Sequence, residues 1–152
     1  MTILAHKLMR LIETHSESLV KKLEAKIANS DRCTDYKRVP PAELENLVGG
    51  VYGHLSEWLS TRTEEEIERR YTAVGRRRAE QSVAVSQLVW CFVLVKENLW
   101  EYLRENENRE TTAQIFGELE LTQMVEQFFD RAIYYAVRGH EGIGQEHLAA
   151  GK

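Results

Sequence analysis

Apolar residues return at helical spacing through almost the whole of this chain, and the residues that stop helices are scarce in it. Both prolines of the 152 residues stand together, at Pro40 and Pro41, and there are nine glycines. That pattern excludes a turn-rich β protein and predicts an all-α chain. A mass of 17.6 kDa bounds it to one ordinary domain, with no room for a second sizeable core. Hydrophobic residues at 43% and charged residues at 29% set it apart from disordered chains.

Five helical segments are expected. The first runs from about Thr2 to Asn29, with Leu4, Leu8, Leu11, Ile12, Leu19, Leu23 and Ile27 on one stripe. A polar connection then leads from Ser30-Asp31 to Pro40-Pro41, and proline at the first helical position opens the second helix. Its stripe is Leu44, Leu47, Val48, Val51, Leu55, Trp58 and Leu59, ending near Ser60. Thr63 with Glu66 forms a capping box for the third helix, and Glu64 to Glu66 suit its positive end. Ile67, Tyr71 and Val74 give that helix its apolar side, and Gly75 is a mild interruption.

Ser82 or Ser86 is expected to cap the fourth helix, which carries Leu88, Val89, Phe92, Val95, Leu99, Trp100 and Leu103. Its first half is apolar nearly all round, as in a central helix covered on several sides. Asn106 to Thr112 reads as a polar loop. The fifth helix, about Ala113 to Arg138, places Leu121, Met124, Val125, Phe128, Phe129, Ala132 and Tyr135 together, with Gly139 as its stop. Residues 1–140 thus form the domain and 141–152 a flexible tail or linker stump. The architecture is an antiparallel helical bundle or a globin-like packing of about five helices, which periodicity does not separate.

The chemistry-bearing residues are few. A formal charge of −4 argues against a general polyanion binder. No Ser/His/Asp or Cys/His arrangement and no Gly-rich loop before a strand is recognisable, so no enzyme is expected. Cys33 and Cys91 belong to no Cys-x-x-Cys unit, which argues against a disulfide framework or a structural zinc site. They read as buried thiols or as one long-range disulfide. No metal site is expected. The first ten residues lack a signal peptide's apolar region. The apolar run Val83–Val95 falls short of the roughly 20 residues a membrane span needs. Cytoplasmic placement, without a membrane or nucleic-acid partner, is the expectation.

Among the histidines, His15 and His54 fall on or beside apolar stripes and are candidate ligand-binding residues for haem or a small molecule. The competing reading makes them hydrogen-bonded core histidines. His6, in Ala-His-Lys-Leu-Met-Arg, echoes a phosphorylatable histidine, although Met9 and Arg10 stand where lysine and glycine belong. Arg69, Arg70, Arg76, Arg77 and Arg78 form the strongest basic cluster, and Arg76, Arg77 and Arg78 are the candidate partner face. Glu64 to Glu66 and Glu68 precede them and neutralise much of that charge. Trp90 lies off the line of Leu88, Phe92, Val95 and Leu99. Trp90 and Phe92 are therefore candidate contacts across a homodimer.

The stretch from Tyr71 to Val89 places Gly75, Arg78, Ala79, Gln81, Val85, Ser86, Leu88 and Val89 in a recurring helical pattern. It resembles the N-terminal sensor-type domain of the RsbT co-antagonist proteins of the RsbRD kind. There, a helix ending in a Gly-x-x-Arg-Ala-like segment leads through a short polar turn to a Leu/Val-rich helix. The resemblance covers most of residues 1–140. It implies an all-helical, non-enzymatic input domain of bacterial signalling, usually fused to an output module. The related RsbR sensors are globin-like, haem-free and dimeric, so the resemblance also implies a homodimer with a protein signalling partner. Nothing resembling an output domain follows residue 152. The chain therefore reads as a stand-alone relative or as part of a longer protein.

Overall fold

The computed structural model describes the backbone of residues 2–105 and 112–150, and side chains over 2–105 and 116–142. Six α-helices account for most of it: α1 (Ile3–Thr14), α2 (Ser16–Ala28), α3 (Pro41–Tyr52), α4 (Glu64–Glu80), α5 (Val85–Glu105) and α6 (Thr112–Ala150). A 3-10 turn at Thr34–Arg38 precedes α3 and a π turn at Glu57–Thr61 precedes α4. The fold is all-α, a helical bundle, with no strand among the described residues. The loop expected at Asn106–Thr112 lies almost wholly outside the described residues.

The expected first helix is broken in two at His15. Two side chains there compete for carbonyls of the preceding turn: Thr14 Oγ1 donates to Arg10 O at 2.8 Å and His15 Nδ1 to Leu11 O at 2.9 Å. Such back-bonding bends helices. The second helix likewise loses its regular ladder after Tyr52, where Gly53 and the π turn follow. Pro41 opens α3 and Thr63 caps α4, accepting from Glu66 N at 3.2 Å, as expected.

The next turn corrects an expectation. Ser82 does not cap α5 but closes α4 in the left-handed region, φ 60°, with Val83 N donating to Arg78 O at 2.9 Å. The start of α5 is served from elsewhere in the chain: Ala84 N donates to Asp35 Oδ2 at 3.0 Å. Nor does α6 stop at Gly139; it runs on to Ala150.

Facing pairs fix the directions. Glu24, Val20 and Ser16 of α2 meet Glu45, Gly49 and Gly53, so α2 and α3 are antiparallel. Glu43 with Arg77, and Leu47 with Arg70, make α3 and α4 antiparallel too. Lys22 with Glu105 and Lys26 with Glu101 do the same for α2 and α5. In contrast α4 and α6 run in the same direction, Glu64 meeting Arg131 while Gly75 meets Ala136 and His140. One core joins all the helices, with Met9, Leu23, Tyr52, Leu55, Leu88, Leu99, Leu121 and Phe129 almost wholly buried.

A polar network is set into that core. Asn98 on α5, 1% exposed, donates to Leu19 O at 2.9 Å and to Tyr52 OH at 3.2 Å. Its own oxygen accepts from Lys26 Nζ at 2.9 Å, and Tyr52 OH donates to Val95 O at 2.6 Å. Within this network the Asn98 amide and the Tyr52 hydroxyl are satisfied, and through them α2, α3 and α5 are held in one register.

Candidate regulatory site

The segment Gly75-Arg-Arg-Arg78-Ala79 lies on the last two turns of α4, where that helix crosses α6. Both helices present glycine at the crossing. A Cβ on Gly75 would fall on the carbonyl of Ala136 and within 2.9 Å of His140 N. A Cβ on Gly139 would fall on the carbonyl of Thr72 and 3.1 Å from its Cα. The two backbones therefore touch with no side chain between them. That close approach needs glycine, and it explains why Gly139 lies inside a helix instead of ending one.

Arg78 fastens the same turn to α3. Its side chain is buried and donates to Glu43 Oε1 at 2.9 Å and to Gln81 Oε1 at 3.0 Å. Gln81 Nε2 bonds both Glu43 oxygens, at 3.2 and 3.1 Å, and Arg77 Nε adds a further bond at 3.0 Å. The hydrogen bond from Arg77 is the largest cause holding the Glu43 carboxyl below its ordinary range, with Arg78 adding to it against the opposing effect of burial. The Arg78 guanidinium also stands over the Tyr36 ring at 5.8 Å. Behind Tyr36 lies Cys91, whose thiol burial pushes up to about 12, so it is no nucleophile at neutral pH.

The far end of the crossing is tied as well. His140 Nε2 bonds Val83 O at 2.7 Å, joining α6 to the turn that Ser82 closes. At the near end, Glu64 accepts from Tyr135 OH at 2.6 Å and Arg131 Nε at 2.9 Å. Beneath α3, α4, α5 and α6 lies an internal apolar cavity of about 20 Å³, lined by Val51, Tyr71, Phe92, Phe128 and their neighbours. It has the volume of about one water molecule.

The candidate residues are dispersed. His15 is exposed at the α1–α2 break, its ring 5.7 Å from that of Tyr102. His54 is exposed as well, 3.8 Å from Glu57. Neither lines the internal cavity, and neither is a core histidine. His6 is exposed on α1.

The arginine face divides. Arg76 and Arg77 are exposed, whereas Arg78 is 2% exposed and turned inward to Glu43, so it offers a partner no surface. The reason is packing: α3 covers that side of α4. Phe92 is likewise inside the chain, its ring 5.9 Å from Tyr71, and so is no surface contact. Trp90 is half-buried beside an open groove, with the Arg32 guanidinium 4.5 Å over its ring. Sequence reasoning missed Glu43 and Gln81 as partners of Arg78, and also Asn98. An amide in the otherwise apolar run of α5 was the one available signal for the last.

Among the described residues no helix is long and apolar enough to cross a membrane. Nor do three His, Cys, Asp or Glu side chains gather there as a metal-binding group. Vitellogenin-5 of Caenorhabditis elegans is 31% identical over 121 residues, 78% of this chain. The match takes in 8% of that protein, so the chain spans a small fraction of its length. No solved structure matches. The family model described as the RsbT co-antagonist protein rsbRD N-terminal domain matches residues 17–150. The glycine crossing and the buried Arg78 fall inside that match, and the chain belongs to the RsbRD N-terminal domain family, a family of stress-signalling regulatory domains.

Proposed function

We propose that this domain is a non-enzymatic, cytoplasmic input module that works as a homodimer and signals by changing how α4 packs on α6. The observation that supports this reading is the crossing at Gly75 and Gly139, where backbone meets backbone. A switch needs two arrangements of similar free energy and a ligand or partner that prefers one of them. Interdigitated side chains lock a helix pair in register, whereas a smooth contact leaves one helix free to slide along the other. The end ties, Glu64 to Tyr135 and His140 to Val83, are the bonds that such a slide exchanges.

In this reading the part of α6 after Gly142, where an added Cβ meets nothing within 4 Å, is a connector carrying the shift outward. Arg76 and Arg77 are the partner face that remains once Arg78 is assigned inward. The family description names RsbT, and the partner is a signalling protein of that kind or an output module. Trp90 belongs to the dimer contact.

Native mass spectrometry of the untagged protein tests the assembly. A dimer of bare polypeptide that Trp90→Ala turns into monomer supports the reading, and a bare monomer removes the homodimer. Added mass equal to haem puts a cofactor-binding sensor in its place. For the switch, Gly139→Ala should abolish the response of the signalling system while the domain stays folded. An unchanged response would sink the crossing as the point of transmission.

A further inference from the structure

The internal cavity is walled by four helices at once: Val48 and Val51 of α3, Tyr71 of α4, Phe92 and Val95 of α5, and Phe128 of α6. All six side chains are buried, and the surface turned to the cavity is almost entirely apolar. Tyr71 carries the one unbonded hydroxyl among them, but that oxygen has no surface open to the cavity. Its ring forms the wall instead, packed edge-on against Phe92 at 5.9 Å and Phe128 at 5.7 Å. A buried water makes about three hydrogen bonds to protein groups. These walls supply no such set, so water fits by size and is excluded by chemistry. Left empty, the cavity forfeits the dispersion contacts of every atom that faces it.

We propose that this cavity is a dry site for one small apolar molecule, a dissolved diatomic gas of the dioxygen class. Lining and size select that class together. Walls without donors or acceptors reject charged and hydrogen-bonding ligands. The volume of about 20 Å³ exceeds the roughly 10–15 Å³ that one water-sized sphere needs. It admits a diatomic molecule and not an aromatic ring. Leu47 on α3 and Val74 on α4 also line the cavity and are only half-buried, so one layer of side chain separates it from solvent there. An occupant touches both helices of the Gly75–Gly139 crossing, through Tyr71 and Phe128. The proposal goes beyond the transmission reading and does not depend on it.

The test is methyl NMR of the isotope-labelled full chain under pressurised dioxygen, with dinitrogen at the same pressure as the diamagnetic control. Dioxygen is paramagnetic and speeds the relaxation of the methyls it sits beside. That enhancement should be severalfold larger at Val48, Val51, Leu88 and Val95 than at Ile12, Leu19 and Leu23, which are as deeply buried but lie outside the cavity. Two substitutions at one position should then move it in opposite directions. Val51→Ala widens the cavity and should raise the enhancement at Val48 and Val95, whereas Val51→Ile fills it and should bring them down to the level of Leu19. Val95→Ile fills it from α5 and should act as Val51→Ile does, which guards against a local distortion of α3. Equal enhancement at all buried methyls overturns the proposal. So does an excess that survives both filling variants, or a long-lived water giving nuclear Overhauser effects to the lining methyls in place of dioxygen.

Discussion

Arg78 is the third of three consecutive arginines, and nothing in its neighbours distinguishes it from Arg76 and Arg77. Its position on α4 does, because the turn that carries Gly75 toward α6 aims Arg78 at α3, where Glu43 waits. Truncating Arg78 removes its bonds to Glu43 and Gln81 and leaves a cavity between α3 and α4, while Glu43 keeps its bonds to Arg77 and Gln81, so the cost is about 2 kcal/mol. Arg78→Ala should therefore lose about that much stability in urea denaturation, whereas Arg76→Ala should stay within about 0.5 kcal/mol of the parent. Glu43 gives the pair its pH dependence. Its folded-state pKa is depressed, first by the Arg77 hydrogen bond, so its stabilising contribution is present above the ordinary carboxylate range. That contribution is lost as pH falls through the depressed value. The urea midpoint of the parent should fall more between pH 5 and pH 3 than that of Glu43→Gln, about the unperturbed carboxylate range. Superimposable pH profiles would remove Glu43 from the acid response.

At the level of elements, glycine carries two meanings that sequence alone does not separate. Gly139, beyond a long apolar stripe, resembles a helix stop; the structure makes it a contact point inside a helix. Gly142, three residues on, meets nothing. The two positions predict opposite outcomes for one substitution. Gly139→Ala forces α4 and α6 apart and should cost about 2 kcal/mol, a fall of roughly 4–8 °C in Tm for a chain this size. Gly142→Ala has no clash and gains helix propensity, by about 0.5–1 kcal/mol. Differential scanning calorimetry on both variants checks this, and a loss of equal size in both would contradict the close crossing. The same ambiguity marks what was legible. The cap at Thr63 and the opening at Pro41 were legible because each acts on its own backbone. The break at His15 and the cap of α5 by Asp35 were not. The first is a competition of side chains for carbonyls that leaves the apolar stripe intact, and the second comes from residues some fifty positions away.

For the whole molecule, periodicity gave the class and the buried faces, because a stripe records which side of a helix is covered. It does not record which helix does the covering. The parallel pairing of α4 with α6, across an intervening α5, follows from glycines that leave no trace in an apolar pattern. The polar ties of Arg78 and Asn98 belong to the same class of information: Arg78 joins α4 to α3, Asn98 joins α5 to α2 and α3, and each is invisible until its elements meet. These ties and one continuous core predict that the domain unfolds as a single cooperative unit. Tryptophans report on separate parts of that unit, with Trp58 under Arg62 and Arg70 between α3 and α4, and Trp90 under Arg32 on α5. Helix content followed by far-UV circular dichroism and packing followed by tryptophan fluorescence should thus give coincident urea transitions. In Gly139→Ala the two curves should shift together. A fluorescence change that precedes the loss of helix would mean that α6 detaches before the rest unfolds. The α4–α6 contact would then be a separable element, and signalling would proceed by release of α6 instead of by a slide along α4.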